Sequence, residues 1–168
     1  MVSSKALHWV NQLQLVEHPE GGWYKEVYRS EGSIASSSLP DRFDGERSYA
    51  TSIYFLLSSD VFSAFHRILS DEIWHFYAGD GLLIHEIDAA GRYSVHQLGS
   101  DIFGGDVFQL VIPAGSWFAS EVKPGGNYGL VGCTVAPGFD FRDFEMASGF
   151  ALSSRYPKHS EQILRLCR

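Results

Sequence analysis

The segment HRILSDEIWHFYAGDG, residues 66–81, holds two histidines and a glutamate within ten positions. Imidazole and carboxylate groups bind transition metals, and they also transfer protons near neutral pH. His66, Glu72 and His75 could therefore form a metal site or an acid–base site. On a regular strand Glu72 and His75 face opposite sides. This alternation pairs His66 with Glu72 as pocket residues and leaves His75 as either a packed residue or a ligand.

Short apolar stretches separated by turn signals surround this segment. Their spacing of roughly 8–12 residues, with Gly-rich turns, is typical of an antiparallel sandwich or barrel. We predict strands over residues 23–30, 49–57, 61–69, 72–78, 82–88, 92–98, 107–113, 116–122 and 128–136. Gly79-Asp80-Gly81 is interpreted as a hairpin turn, because a strand follows it.

The N-terminal 20 residues are predicted to form a helical extension. Apolar side chains recur near helical spacing over residues 4–15, with Ser3 or Ser4 as the N-cap. The sequence HPEGG, residues 18–22, is interpreted as the break that ends this extension.

The rest of the chain gives no sign of a second domain, so we expect one domain over residues 1–168. Residues 31–47 are rich in Ser, Gly, Asp and Pro, which predicts a flexible surface loop. The tail over residues 156–168 predicts one short helix or an irregular cap.

Composition excludes several classes of function. Hydrophobic residues make up 45% of the 168 residues, enough for one core. The net charge of −7 and the lack of a basic cluster argue against nucleic-acid binding. The N-terminus lacks the apolar run of a signal peptide or membrane span. We therefore expect a protein that binds neither nucleic acid nor membrane. Two cysteines without a CxxC motif indicate no disulfide framework, so we expect a cytoplasmic protein.

Two segments of the chain resemble the signature segments of the cupin superfamily. In the first, Glu72 is followed seven positions later by Gly79. In the second, GGDVFQLVIPAGSW, Gly105 precedes the turn Pro113-Ala114-Gly115. Together with HPEGGWYKEVYRS and LVGCTVAPGFDFRDFE, the pattern is similar to a small family of cupins known mainly as a domain of unknown function. The resemblance implies an all-β, antiparallel jelly-roll barrel, with a short N-terminal helix here, and a homodimer.

The chain departs from the metal-binding cupins at the ligand positions. The two histidine positions of the first cupin segment correspond to Phe65 and Arg67 in this chain. The histidine position of the second segment corresponds to Phe118. Only the glutamate is in place, so we expect no metal cofactor. The alternative is a divalent transition metal held by His66, Glu72 and His75.

A second resemblance suggests proton-transfer chemistry. EGGWYKEVYRSE, residues 20–31, is similar to the early strand of the sugar-nucleotide epimerases of the cupin superfamily, which need no metal. That resemblance implies His66 as base, Glu72 as the group that orients it, and a tyrosine as acid. We assign the acid to Tyr54, with Tyr28 and Tyr77 as alternatives.

Further residues are predicted to bind a small-molecule ligand in the barrel. Arg29 could bind an anionic group, and a polar Gln109 on an apolar strand suggests a pocket position. The predicted ligand-binding residues are Arg29, Tyr28, His75, Tyr77, Gln109 and Trp117. We expect a barrel that binds a small polar molecule, such as a sugar or nucleotide sugar, as an epimerase or isomerase. The alternatives are a metal-dependent dioxygenase or isomerase and a non-enzymatic binding barrel.

Overall fold

The structure is a computed structural model that describes residues 2–168. Its helices are α1 (Ser4–Leu13), α2 (Gly149–Arg155) and α3 (Ser160–Arg165). Its strands are β1 (Val16–Glu17), β2 (Trp23–Arg29), β3 (Ser33–Ile34), β4 (Arg47–Ser48), β5 (Thr51–Ser58), β6 (Ser63–Arg67), β7 (Asp71–Gly79), β8 (Leu82–Ile87), β9 (Tyr93–Leu98), β10 (Gln109–Ile112), β11 (Trp117–Val122), β12 (Tyr128–Ala136) and β13 (Glu145–Met146).

Two antiparallel sheets form the jelly-roll barrel. The first has the strand order β1-β2-β5-β12-β7-β10, and the second has the order β13-β6-β11-β8-β9. All nine predicted strands are present within one or two residues of their predicted ends. The predicted all-β fold with one N-terminal helix is confirmed, and the longer strands of the two sheets present one face to the space between them.

The main core fills that space. It contains large side chains from both sheets, including Phe55, Trp74 and Phe118. Because successive side chains on a strand face opposite sides, neighbours such as Trp117 lie outside the barrel. There Trp117 packs with Leu152 of α2 in a second cluster.

Helix α1 begins where the sequence predicts. Ser3 is the N-cap, and its hydroxyl accepts a hydrogen bond of 3.2 Å from the backbone N–H of Ala6. Gln14 adopts a left-handed conformation and ends the helix. The helix packs on the outer face of the first sheet, where Ala6 is buried with Leu56 and Leu130.

The glycine turn at residues 79–81 differs from the prediction. It connects β7 of the first sheet to β8 of the second, so it is a crossover between sheets and not a hairpin. Gly79 has φ +103°, and a Cβ there would lie 2.2 Å from the carbonyl oxygen of Tyr128. The close approach of two backbones therefore requires glycine.

The segment over residues 31–47 contains more structure than a surface loop. It holds the ribbon β3–β4 and one 3-10 turn at Ser36–Ser38. Its end is fixed by Arg47, which is buried and makes two hydrogen bonds of 2.6 and 2.8 Å to the carboxylate of Asp143. The tail contains the one short helix that was predicted, α3, and a further helix, α2, precedes it.

No helix in residues 2–168 is both long enough and apolar enough to cross a lipid bilayer.

Candidate functional site

A cavity of about 350 Å³ lies between the two sheets. Much of its wall is aromatic, formed by Tyr24, Phe55, Trp74, Phe139, Phe141 and Phe144. The ionisable groups on the wall come from β2, β6, β7, β12 and two loops, and they are His18, Glu20, Glu26, Arg29, His66, Glu72, Cys133 and Asp140. An apolar cavity with a few converging polar groups is the usual form of a small-molecule site.

His66 is in direct contact with Glu20, a residue that the sequence analysis did not select. The Nε2 atom of His66 lies 3.1 Å from Oε2 of Glu20. Its Nδ1 atom lies 2.7 Å from the carbonyl oxygen of Ala64, so Nδ1 must carry a hydrogen. One further proton must therefore lie between Nε2 and Oε2. Each ring nitrogen of His66 therefore already has a protein partner, and neither is free to contact a ligand. Both side chains are buried.

Burial decides where that proton resides. Desolvation lowers the pKa of His66 to about 4. The pKa of the Glu20 carboxyl is raised by the same cause, against the opposing effects of His18 and Ser63. The pair is therefore most stable as a neutral acid that donates to a neutral imidazole. Ser63 completes the arrangement by donating to Oε1 of Glu20 at 2.9 Å.

A bulge in β6 brings Ser63 and His66 to the same carboxyl group. Residues three apart on a regular strand face opposite sides. Here the register of β6 against β11 shifts between the pairs Phe118–His66 and Ser120–Ser63. Both side chains consequently face the inside of the barrel and reach Glu20, while Phe65, between them, is buried in the outer cluster.

The loop HPEGG delivers two further groups to the cavity. Ala64 donates its backbone N–H to the carbonyl of Glu20 at 2.8 Å, which ties the loop to β6. Gly21 has φ +115°, and a Cβ there would lie 2.2 Å from the carbonyl oxygen of Phe62. From the sequence this loop was interpreted as a helix break and as part of the cupin-family pattern, with no role in the site. Two ionisable residues beside a Gly-Gly pair were the signal that could have identified it.

His18 is enclosed by aromatic rings. Phe141 stacks on it, and Tyr24, Phe55 and Phe144 meet it edge-to-face. Its side chain is 7% exposed, and desolvation lowers its pKa, so the imidazole is neutral at pH 7.

Glu72 is the second buried carboxyl group of the cavity, as predicted from its strand position. It does not orient His66, since the carboxyl group in contact with His66 is that of Glu20. Within residues 2–168 no arginine or lysine is paired with it, and the neighbouring thiol of Cys133 slightly opposes the rise of its pKa. Desolvation, together with the nearby Glu20, raises the pKa of Glu72 to about 8. The group is largely protonated at pH 7.

The charged groups at the edge of the cavity neutralise one another. Arg29 lies on the cavity wall as predicted, but it already donates two hydrogen bonds to Glu26, of 2.7 and 3.0 Å. Arg142 likewise donates two to Asp140 and lowers the pKa of that carboxyl to about 2. An anionic ligand would have to displace Glu26 from Arg29.

Five predicted site residues lie on the opposite face of the first sheet. Directly opposed residues on adjacent strands share a face. The registers pair Gln109 with His75, His75 with Gly132, and Gly132 with Tyr54. Tyr77 contacts Tyr54 on this side. The residues on the outer face are therefore Tyr28, Tyr54, His75, Tyr77 and Gln109, and none of them lines the cavity.

Trp117 is also outside the cavity, where it packs beneath Arg67 at 4.6 Å. Phe118 takes the inward position, with its ring 4.1 Å from that of His66. The alternative metal site is not assembled, because His75 faces away from the cavity and bonds Thr134. Among residues 2–168, no group of three or more His, Cys, Asp or Glu side chains is arranged to hold a metal ion.

Comparison with known proteins agrees with this fold. Residues 7–147 match the family described as Cupin superfamily (DUF985). The chain is a member of this family. It is 30% identical to the uncharacterized protein YML079W of Saccharomyces cerevisiae over 149 residues, which cover 83% of this chain and 74% of that protein.

Solved structures of similar proteins align with almost the whole of this DUF985 cupin. Protein SO0799 from Shewanella oneidensis is 38% identical, with a TM-score of 0.87 over 100% of this chain and 99% of that one. A hypothetical protein from Leishmania major is 36% identical, with a TM-score of 0.87 over 96% and 98% of the two chains. Oxalate decarboxylase from Bacillus subtilis, at 15% identity, shares only the fold, with a TM-score of 0.54 over 89% of this chain and 36% of that one.

Proposed function

We propose that this cupin binds a small, uncharged, polar molecule in the barrel, removes a proton from the carbon beside its carbonyl group, and returns a proton to that carbon or to the carbonyl carbon. The substrate class is an unphosphorylated keto-sugar or a similar hydroxyketone. The observation that carries the proposal is a buried carboxyl group, Glu72, which faces an aromatic cavity and has no cationic partner.

The charge state of the cavity supports an uncharged ligand. At neutral pH the Glu20–His66 pair is neutral, His18 is neutral and Glu72 is largely neutral. Arg29 is compensated by Glu26. Burying an ionic ligand among such groups would cost its hydration energy without a matching opposite charge. The aromatic walls suit the C–H face of a sugar, whereas a nucleotide sugar would bring phosphates that no free cation in the cavity meets.

Glu72 is the group suited to take the proton. A general base works best when its pKa lies near the working pH. The ionised fraction of Glu72 removes the proton from the carbon beside the carbonyl, and the electron pair moves to the carbonyl oxygen. Return of the proton to that carbon exchanges or epimerises it. Return to the former carbonyl carbon, with a hydroxyl proton passing between the two oxygens, gives the isomer, so no co-reactant is consumed.

His66 cannot be that base in the observed arrangement, since its two nitrogens contact Ala64 and Glu20. It instead holds Glu20 in place on the cavity wall. This assignment replaces the predicted His66 base and moves Glu72 from an orienting role to the reacting one.

Proton exchange in D2O tests the proposal. The protein is incubated with D-xylulose and with D-fructose, and loss of the carbon-bound proton is followed by ¹H NMR. We expect exchange by the wild type and a loss of about 10²–10⁴-fold in Glu72→Gln. Glu17→Gln, which removes an exposed carboxylate, is the control and should retain the wild-type rate. Exchange at the wild-type rate in Glu72→Gln would refute the assignment. Binding without exchange would favour a binding barrel.

The predicted homodimer is retained as part of the proposal, and the outer face of the first sheet is its best candidate. Tyr28 and Tyr77 on that face are 55% and 51% exposed, and Val111 on the edge strand β10 is 51% exposed. Large apolar groups clustered on one exposed face favour a protein contact. Sedimentation equilibrium should give twice the chain mass, and Tyr77→Lys should shift it towards the monomer.

A further inference from the structure

His18 has a ring nitrogen that the protein leaves unused. Its Nδ1 atom accepts a hydrogen bond of 3.4 Å from the backbone N–H of Glu20. The same atom lies 3.4 Å from Oε2 of Glu20, but no hydrogen bond joins these two atoms. Its Nε2 atom has no hydrogen-bond partner within residues 2–168, although the side chain is 93% buried and lines the cavity. A polar atom that faces an apolar cavity without a protein partner is costly, so it normally meets a ligand or an ordered water.

The contacts of His18 determine its tautomer. A backbone N–H can only donate, so the Nδ1 atom that faces it must present a lone pair. The neutral ring therefore carries its hydrogen on Nε2. His18 and His66 thus hold opposite tautomers. His18 carries its hydrogen on Nε2, and His66 carries it on Nδ1.

The surroundings of His18 make it a fixed donor. The stack with Phe141 and three edge-to-face contacts leave the ring little freedom to turn. A donor that is already oriented in an apolar site stabilises developing negative charge strongly, because it does not have to reorganise. A neutral imidazole does so without adding a charge that would favour anionic ligands.

We infer that His18 is the ligand-binding donor of the cavity and presents Nε2–H to a carbonyl oxygen of the bound molecule. In the reaction proposed above, on which this role rests, the same N–H holds the oxygen that becomes negative when Glu72 removes the proton. The ligand is thereby assigned an oxygen acceptor that points towards the HPEGG loop and an apolar ring or chain that lies against the aromatic wall.

The tautomer is tested first, on the free protein. ¹⁵N-labelled histidine is introduced and the ring nitrogens are followed by long-range ¹H–¹⁵N correlation at pH 7, with His18→Gln used for assignment. We expect Nε2–H for His18 and Nδ1–H for His66. An Nδ1–H tautomer or an imidazolium at His18 would overturn the inference.

Ligand binding is tested next with cyclohexanone, a small uncharged ring ketone, as the probe. Titration should shift the Nε2–H resonance of His18, and no shift up to the solubility limit would overturn the donor role. In the D-xylulose assay, His18→Leu should lose about 10²–10³-fold in exchange rate, whereas His18→Gln, which keeps an N–H donor, should lose at least tenfold less. Equal losses in the two variants would also overturn it.

The two proposals fail in different ways. If the wild type exchanges neither sugar but cyclohexanone shifts the His18 resonance, the reaction is wrong and the donor role stands. If the wild type exchanges D-xylulose and His18→Leu does so equally fast, the reaction stands and His18 is not its donor.

Discussion

Replacing Glu72 by glutamine should remove a pH-dependent loss of stability. Glutamine has nearly the shape of the protonated carboxyl group and stays neutral at every pH. In the folded protein the pKa of Glu72 is raised to about 8, from an ordinary value of 4.5, by burial and by the neighbouring Glu20. The unfolded chain therefore ionises this group at a lower pH than the folded one does.

The sign and size of the effect follow from this difference. A raised carboxyl pKa contributes stability that is fully present below pH 4.5 and is lost as the pH rises to about 8. Each unit of pKa difference corresponds to about 1.4 kcal/mol, so the full interval corresponds to about 5 kcal/mol. Relaxation and water entry through the cavity lower the cost of ionisation, which makes about 5 kcal/mol the upper end and about 2 kcal/mol the least we expect.

Urea unfolding at pH 5, 7 and 9, followed by tryptophan fluorescence, measures the difference. The free energy of unfolding of Glu72→Gln minus that of the wild type should grow with pH, by about 2–5 kcal/mol from pH 5 to pH 9. Glu17→Gln, at an exposed position of β1, should show no such growth. A difference between Glu72→Gln and wild type that is the same at all three pH values would refute the buried, unpaired state of Glu72.

Three further predictions concern the frame of the site. Arg47→Ala should lower the free energy of unfolding by about 3–5 kcal/mol, because it leaves the buried carboxylate of Asp143 without a partner. Urea unfolding of the double variant Arg47→Ala/Asp143→Ala checks the reason. If the double variant is no more stable than Arg47→Ala, the unpaired carboxylate is not the cause. Gly22→Ala should destabilise more than Gly115→Ala in thermal unfolding, because both have positive φ but only at Gly22 would a Cβ approach a backbone carbonyl, at 2.6 Å. Tyr54→Phe should leave D-xylulose exchange unchanged, and a loss of tenfold or more would return Tyr54 to the site.

Local pattern predicted the barrel well. Strand lengths and the Ser3 cap are properties of neighbouring residues, and both were found where the sequence indicated. The turn at residues 79–81 was found at its position, but it joins two sheets instead of two paired strands. The spacing from Glu72 to Gly79 also identified the superfamily, and Glu72 does face the cavity.

For the first sheet, the sequence did not indicate which side chains face the inside of the barrel. Alternation tells which residues share a face, but not which face is inside, and an error of one residue moves a whole set to the other side. Tyr54 and Gln109 were selected by residue type and lie on the outer face, whereas His75, which alternation set opposite Glu72, does face away from the cavity. The β6 bulge is a second limit, because only pairing with β11 shows that Ser63 and His66 face the same side.

The sequence by itself determined the class of fold, the strand order along the chain and one carboxyl group of the site. Only the tertiary structure brought Glu20 from the HPEGG loop to His66 of β6, 46 positions later in the chain. It also decided the protonation of the site, since the depth of burial, and not the residue type, holds Glu20, His66 and Glu72 in their neutral forms. What began as a cluster of three potential metal ligands in one segment is therefore a neutral, buried proton-transfer site assembled from distant parts of the chain.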